Sequence, residues 1–227
     1  MSRRNNASSR CPRCRMHSSL CVCSLIPDLD TRTHLVLVIH RIEHRKPTNS
    51  GRLAAHAMRK SQMVIRGYEH EPADAVTWSP ETRPLLLFPH EDAEPLESAV
   101  ARWRAEGDDR PVTLIVPDGT WRQASKIRAR VPGMREVPCV LLPSGEPTIY
   151  RLREETHPLG LATVEAIARC LRVLEGDRGP EIERALLHVF RAMVERTLWS
   201  RGEFETAEVT GGIPPGTLKH DPGSGLA

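Results

Sequence analysis

Four short runs in this chain are apolar along almost their whole length: "HLVLVIH" at 34–40, "RPLLLFP" at 83–89, "VTLIVP" at 112–117 and "VPCVLLP" at 137–143. A strand with one wet face alternates apolar and polar residues, whereas a run without that alternation fits a strand covered on both faces. Between and after these runs lie stretches with helical patterning, at 52–66, 93–106, 121–130, 161–174 and 182–198. Strand alternating with helix predicts an α/β fold with a mostly parallel sheet flanked by helices. The 227 residues suffice for one such domain with a small appended module.

In sheets of this kind ligands sit beyond the carboxyl ends of the strands. The loops to read are therefore "HRIEHRKPTNSGR", "FPHEDA", "PDGTWRQA" and "PSGEPTIYRLREETHPLG". In the first, Asn49 and Ser50 are N-cap types, Gly51 permits close backbone approach and Arg52 opens a helix. That combination suits an anion cradle or an ordinary capped helix. Asp118, just past the third run, suits a general base, an anchor for an amine, or a helix cap. Trp121 suits stacking on a nucleobase or helix-to-sheet packing. Gly160, Thr163 and Glu165 read as a helix start with an acidic first turn.

"CPRCRMHSSLCVC" places Cys11, Cys14, Cys21 and Cys23 within 13 residues. Four thiolates so close suit a closed tetrahedral zinc site of structural type, and the absence of a signal-like apolar segment argues against disulfides. Cys139 and Cys170 read as small core residues. "HRIEH", with His40 and His44, matches an inverted zinc-protease signature, but it follows a strand and precedes Pro47, a context that predicts loop instead of the helix the motif needs. The net charge of +3 does not by itself argue for nucleic acid. Basic residues do cluster at Arg3, Arg4, Arg10, Arg13 and Arg15, and again at Arg41, Arg45, Lys46 and Arg52. No stretch reaches a membrane span, so a soluble cytoplasmic protein is expected. The expected organisation is a basic arm and four-cysteine zinc knuckle at 1–30, the main domain at 31–199 and a Gly/Pro/Thr-rich mobile tail at 200–227.

The motifs "CPRCRMHSSLCVC", "HRIEHRKPTNSGRL", "PLLLFP", "DGTWRQASKI", "YRLRE" and "GLATVEAIA" occur in the order found in the DTW-domain family, and the chain resembles that family from about residue 11 to 198. The resemblance implies a SPOUT-like domain with a C-terminal trefoil knot. It also implies transfer of the 3-amino-3-carboxypropyl group of S-adenosylmethionine to N3 of a tRNA uridine. On this reading Asp118 is the candidate catalytic base. The cofactor pocket is matched to Leu87, Phe88 and Pro89, to Thr120 and Trp121, to Leu141, Leu142 and Pro143, and to Leu159, Gly160, Thr163 and Glu165. Asn49, Ser50, Gly51, Arg52, Arg151 and Arg153 are candidates for RNA phosphate or the carboxypropyl carboxylate. The chain departs from the family where many members carry Ser, at Ala162. A monomer is expected.

Two other readings carry different requirements. A non-catalytic zinc-containing RNA-binding module needs the knuckle and the basic arm but not Asp118. A metal-dependent hydrolase needs a metal at His40 and His44.

Overall fold

The computed structural model describes residues 9–67, 76–152 and 160–219. Six strands form one sheet: β1 (His34–His40), β2 (Ser61–Arg66), β3 (Arg83–Leu87), β4 (Glu94–Pro95), β5 (Val112–Asp118) and β6 (Cys139–Leu141). Their order is β2-β1-β5-β3-β6-β4, and every pairing is parallel. The helices are α1 (Arg41–Arg45), α2 (Gly51–Ala57), α3 (Leu96–Ala105), α4 (Trp121–Ala124), α5 (Ile127–Arg130), α6 (Thr163–Leu174) and α7 (Gly179–Ser200).

The apolar runs are explained by what covers each face. Leu35, Leu37, Ile39, Leu114 and Val116 point to one side, into a large core shared with α2, α6 and α7. Their neighbours Val36, Val38 and Ile115 point to the other, with Val131, Met134 and Val137 following α5. Successive side chains of a strand alternate faces, so a strand buried on both reads as apolar throughout.

The structure corrects several expectations. Residues 52–66 are not one helix: α2 ends at Ala57, Met58 is extended (φ −90°, ψ 125°), and β2 pairs with β1 along its length. Stretch 121–130 is two four-residue helices, α4 and α5, separated by Ser125 and Lys126. "HRIEH" does form a short helix, α1, capped by His40. Pro47 restricts only the residue before it, and Lys46 is indeed extended (ψ 130°), which leaves room for one turn ahead of it.

The cysteine knuckle and the segment after α7 join the main core. Cys14, Met16, Leu20, Val22 and Val209 are buried in the same cluster as Leu53 and Phe190. Arg196 of α7 donates to the carbonyls of Cys21, Gly211 and Gly212, and Thr217 Oγ1 donates to the Ser19 carbonyl at 2.7 Å. Within the stretch 200–227 expected as a mobile tail, Val209, Gly211, Gly212 and Thr217 are thus held against knuckle and helix, while most other residues of 201–219 are exposed; the ends at 1–8 and 220–227 lie outside the described residues. Among the described residues no helix is long and apolar enough to cross a membrane.

Candidate active site

The chain turns one way after β1, toward β2, and the other way after β5, toward β6. The crevice between the carboxyl ends of β1 and β5 is therefore a topological switch point, where open parallel sheets place their ligands. Asp118, the last residue of β5, stands there, buried to 6 % exposure.

Both of its oxygens are oriented. Asn49 Nδ2 donates to Oδ2 at 2.7 Å, and Thr163 Oγ1 donates to Oδ1 at 2.9 Å. The three residues come from the loop before α2, the end of β5 and the first turn of α6. Gly51 makes this assembly possible: a Cβ there would lie 2.5 Å from Asp118 Oδ2 and 3.1 Å from Thr163 Cγ2. The α2 backbone can reach the carboxylate only without a side chain.

The neighbours of Asn49 are equally enclosed. Ser50 Oγ accepts from the Val164 amide at 3.4 Å, and Asn49 Oδ1 accepts from the Arg52 amide at 3.2 Å. Arg52 is 2 % exposed, donates to the His44 carbonyl and keeps its Nε without a hydrogen-bond partner. Burial, then the nearby Arg15 charge, lower it to about 10, which Asp118 partly offsets. The 49–52 loop expected to meet RNA or the carboxypropyl carboxylate is an inner wall of the site.

Glu165 is buried, and its oxygens accept from Thr148 Oγ1 at 2.5 Å and from the amides of Ile149 and Ala162, each at 2.8 Å. It thus ties the loop after β6 to the start of α6. Because Ala162 has no side-chain acceptor, Glu165 supplies only the returning half of a capping box. Tyr150 reinforces the same arrangement, with its hydroxyl donating to the Thr48 carbonyl at 2.6 Å.

The strand ends beside Asp118 carry the expected cofactor loops. β3 ends at Leu87 and β6 at Leu141, adjacent in the sheet, and Leu142, Pro143 and Phe88 follow them; Pro143 and Gly160 are buried, while Pro89 is exposed. Arg169 of α6 donates to the carbonyls of Pro143 at 3.5 Å and Glu146. Trp121 is 52 % exposed and tilts toward Phe88 with ring centroids 6.1 Å apart, so it is not a core anchor. Thr120 is exposed at the start of α4, its amide donating to Gln123 Oε1 at 2.8 Å. Arg151 is exposed over the Phe204 ring. Arg153 and Leu159 lie outside the described residues.

Sequence reading missed the other flank. A cleft of about 400 Å³ extends from Asp118 over the ends of β1 and β2, lined also by His40, Arg66, Arg122, Lys126 and Arg130. The 4-residue spacing of Arg122, Lys126 and Arg130 was the available signal; Arg66 was hidden inside what read as a helix.

The four cysteines form the one metal-capable group found among the described residues, with donor atoms within 4.8 Å of one another. Cys11 and Cys23 sulfurs are 3.5 Å apart, and those of Cys14 and Cys21 are 3.7 Å apart. Tetrahedral zinc with bonds of about 2.3 Å separates its sulfurs by about 3.8 Å, so the cluster has the required size. Burial pushes Cys11 up, but amides of Cys14 and Arg13 and contacts with Cys23 and Cys21 outweigh it, bringing Cys11 to about 6. Burial raises Cys14 and Cys23. Without a cation the crowded thiols cannot all ionise; a divalent ion lets them. At "HRIEH", by contrast, His40 Nδ1 accepts from the Ile42 amide and buried Glu43 pairs with Lys46.

Fold and site together define an α/β protein with an oriented carboxylate at the switch point of a parallel sheet and a thiol knuckle built into its core. The chain belongs to the DTW domain family, whose model matches residues 8–198. It is 25 % identical over 202 residues to "tRNA-uridine aminocarboxypropyltransferase 2" of Drosophila melanogaster, covering 85 % of this chain and 76 % of that protein. It is 28 % identical over 212 residues to "tRNA-uridine aminocarboxypropyltransferase A" of Arabidopsis thaliana, covering 81 % and 79 %. No solved structure matches it.

Proposed function

We propose that this protein is a tRNA-uridine aminocarboxypropyltransferase using S-adenosylmethionine, built as a SPOUT-like domain with a C-terminal trefoil knot and a structural zinc knuckle. The names of its relatives support the reaction class. The observation that carries the reading in this chain is Asp118, a buried carboxylate held at both oxygens where ligands of parallel sheets bind.

S-adenosylmethionine supplies the electrophile, a sulfonium-activated methylene of its 3-amino-3-carboxypropyl arm. Uridine N3 gives its proton to Asp118 and bonds that methylene while the carbon–sulfur bond breaks with its electron pair going to sulfur, leaving 5′-methylthioadenosine. Three carbons on a sulfonium are open to attack, so selectivity is a matter of aim. Asn49 and Thr163 hold the carboxylate still, so the N3 proton meets an acceptor of fixed position. The loops at Leu87–Pro89, Leu141–Pro143 and 159–163 form the cofactor side; Glu165 and Arg169 tie the loop after β6 to α6. Phe88 and Trp121 offer aromatic faces at its mouth.

The test is incubation with S-adenosylmethionine and unmodified tRNA, followed by mass spectrometry of the nucleosides, with Asp118→Asn in parallel. The expected product is aminocarboxypropyluridine, and the variant should lose about 10²–10⁴ in turnover. A methylated nucleoside would overturn the assigned transfer, and wild-type turnover by Asp118→Asn would remove the base.

A further inference from the structure

The cleft beside Asp118 is lined by four cationic side chains. Among the described residues Arg66, Arg122, Lys126 and Arg130 pair with no carboxylate, although Arg128 on the same helix as Arg130 forks onto Asp92 on the opposite side at 2.9 and 3.0 Å. Ser125 and Lys126 both have right-handed helical backbones, so Arg122, Lys126 and Arg130 follow one another at one-turn intervals. Like charges at that spacing repel. Arg66 adds a fourth charge from the end of β2: its Nη2 approaches the Arg130 carbonyl at 3.5 Å, while its Nη1 is buried with no hydrogen-bond partner. Burial and then the Arg130 charge pull Arg66 below its usual range. A stripe of cations with a desolvated donor facing no acceptor is costly alone and is relieved by an anion.

The position of the cleft identifies the anion. Asp118 belongs to its lining, so a nucleotide presented to that carboxylate brings its own backbone into the cleft. The sheet separates the two substrates: β3 and β6 carry the cofactor loops on one side of β5, while β1 and β2 carry His40 and Arg66 on the other.

We propose that Arg66, Arg122, Lys126 and Arg130 form a binding site for the phosphodiesters flanking the reacting nucleotide, and that RNA enters the site over β1 and β2. This rests on the tRNA reading above. Such contacts position the strand without reading its sequence.

The experiment measures binding of the full chain to unmodified tRNA across a salt series, for wild type and for Arg66→Gln, Arg122→Gln, Lys126→Gln and Arg130→Gln. Each phosphate contact removed should weaken binding several-fold and make the slope of log K against log salt shallower by about 1. The KM for tRNA should rise with kcat and S-adenosylmethionine affinity little changed. Arg172→Gln, on an exposed residue paired with Glu183 in the last turn of α6, should change nothing. Arg122 and Arg130 are exposed, so their variants remain informative if Arg66→Gln unfolds. Wild-type slopes in the Arg122 and Arg130 variants, with wild-type protein binding and modifying tRNA, would overturn the cleft assignment alone. Failure of the wild type to bind or modify tRNA would overturn the functional reading and this site with it.

Discussion

Gly51→Ala tests whether the geometry around Asp118 matters to the chemistry. An alanine Cβ would stand 2.5 Å from Asp118 Oδ2, 3.1 Å from Thr163 Cγ2 and 3.2 Å from Leu37 Cδ1. Contacts below 3.0 Å essentially never occur, so something must move by at least about 0.5 Å. Leu37 is fully buried in β1, and Asp118 is pinned by Asn49 and Thr163, so neither α2 nor the carboxylate yields freely. Alanine has a helix propensity better by up to about 1 kcal/mol, while overpacking a well-filled site costs about 1–3 kcal/mol. The net is a loss of roughly 0–2 kcal/mol in stability, which a urea titration reads. The effect on turnover is expected to be far larger, because a misplacement on the order of 1 Å can cost about 10²-fold. Transfer measured as aminocarboxypropyluridine formed per minute at saturating substrates should fall about 10–100-fold. Wild-type turnover with an unchanged urea midpoint would refute the claim that the close approach of α2 to Asp118 is needed.

Two further outcomes follow from the knuckle and the histidines. The purified chain should carry one zinc, read by elemental analysis, and lose it in Cys14→Ser; at free zinc about a thousand times Kd the metal contributes about 4 kcal/mol, so chelation should lower the unfolding midpoint strongly. An unchanged midpoint after verified metal loss would contradict the shared core. His34, His40, His44 and His56 all fall below their ordinary value of 6.5, chiefly through burial. The unfolded chain therefore takes up protons first on acidification. Their contribution to stability is fully present above about 6.5 and is lost as pH falls below it, so urea midpoints should decline between about pH 7 and 5; a flat profile over that window would be evidence against it.

The interior strands were legible because burial on both faces leaves an apolar run, as in Leu35–Ile39 and Leu114–Val116. β2 was not: "SQMVIR" is an edge strand, half-buried along most of its length, and no Gly or Pro separates it from α2. β4, two residues long, has too little sequence to carry a pattern. Asp118 could be singled out because it closes a run and opens a turn. Its partnership with Asn49, 69 residues earlier, and Thr163, 45 later, is set by the sheet and leaves no local trace. The same holds for the cationic cleft, whose walls come from β1, β2, α4 and α5. Arg52 shows the same limit: its place at the opening of a helix suited an anion cradle, and nothing local told that the side chain is buried against the His44 carbonyl.

The knuckle's place in the core has a consequence for how this protein can be divided. Composition puts a boundary near residue 30, but Met16, Leu20 and Val22 lie in one cluster with Leu53 of α2 and Met193 of α7. Arg13 and His56 exchange hydrogen bonds at 3.1 Å across the supposed join, on the helix whose first residue touches Asp118. Cutting there would open an apolar wound on both pieces. Metal capture by the four cysteines would therefore be coupled to assembly of the carboxylate site, and a chain starved of metal should lose the site along with the knuckle.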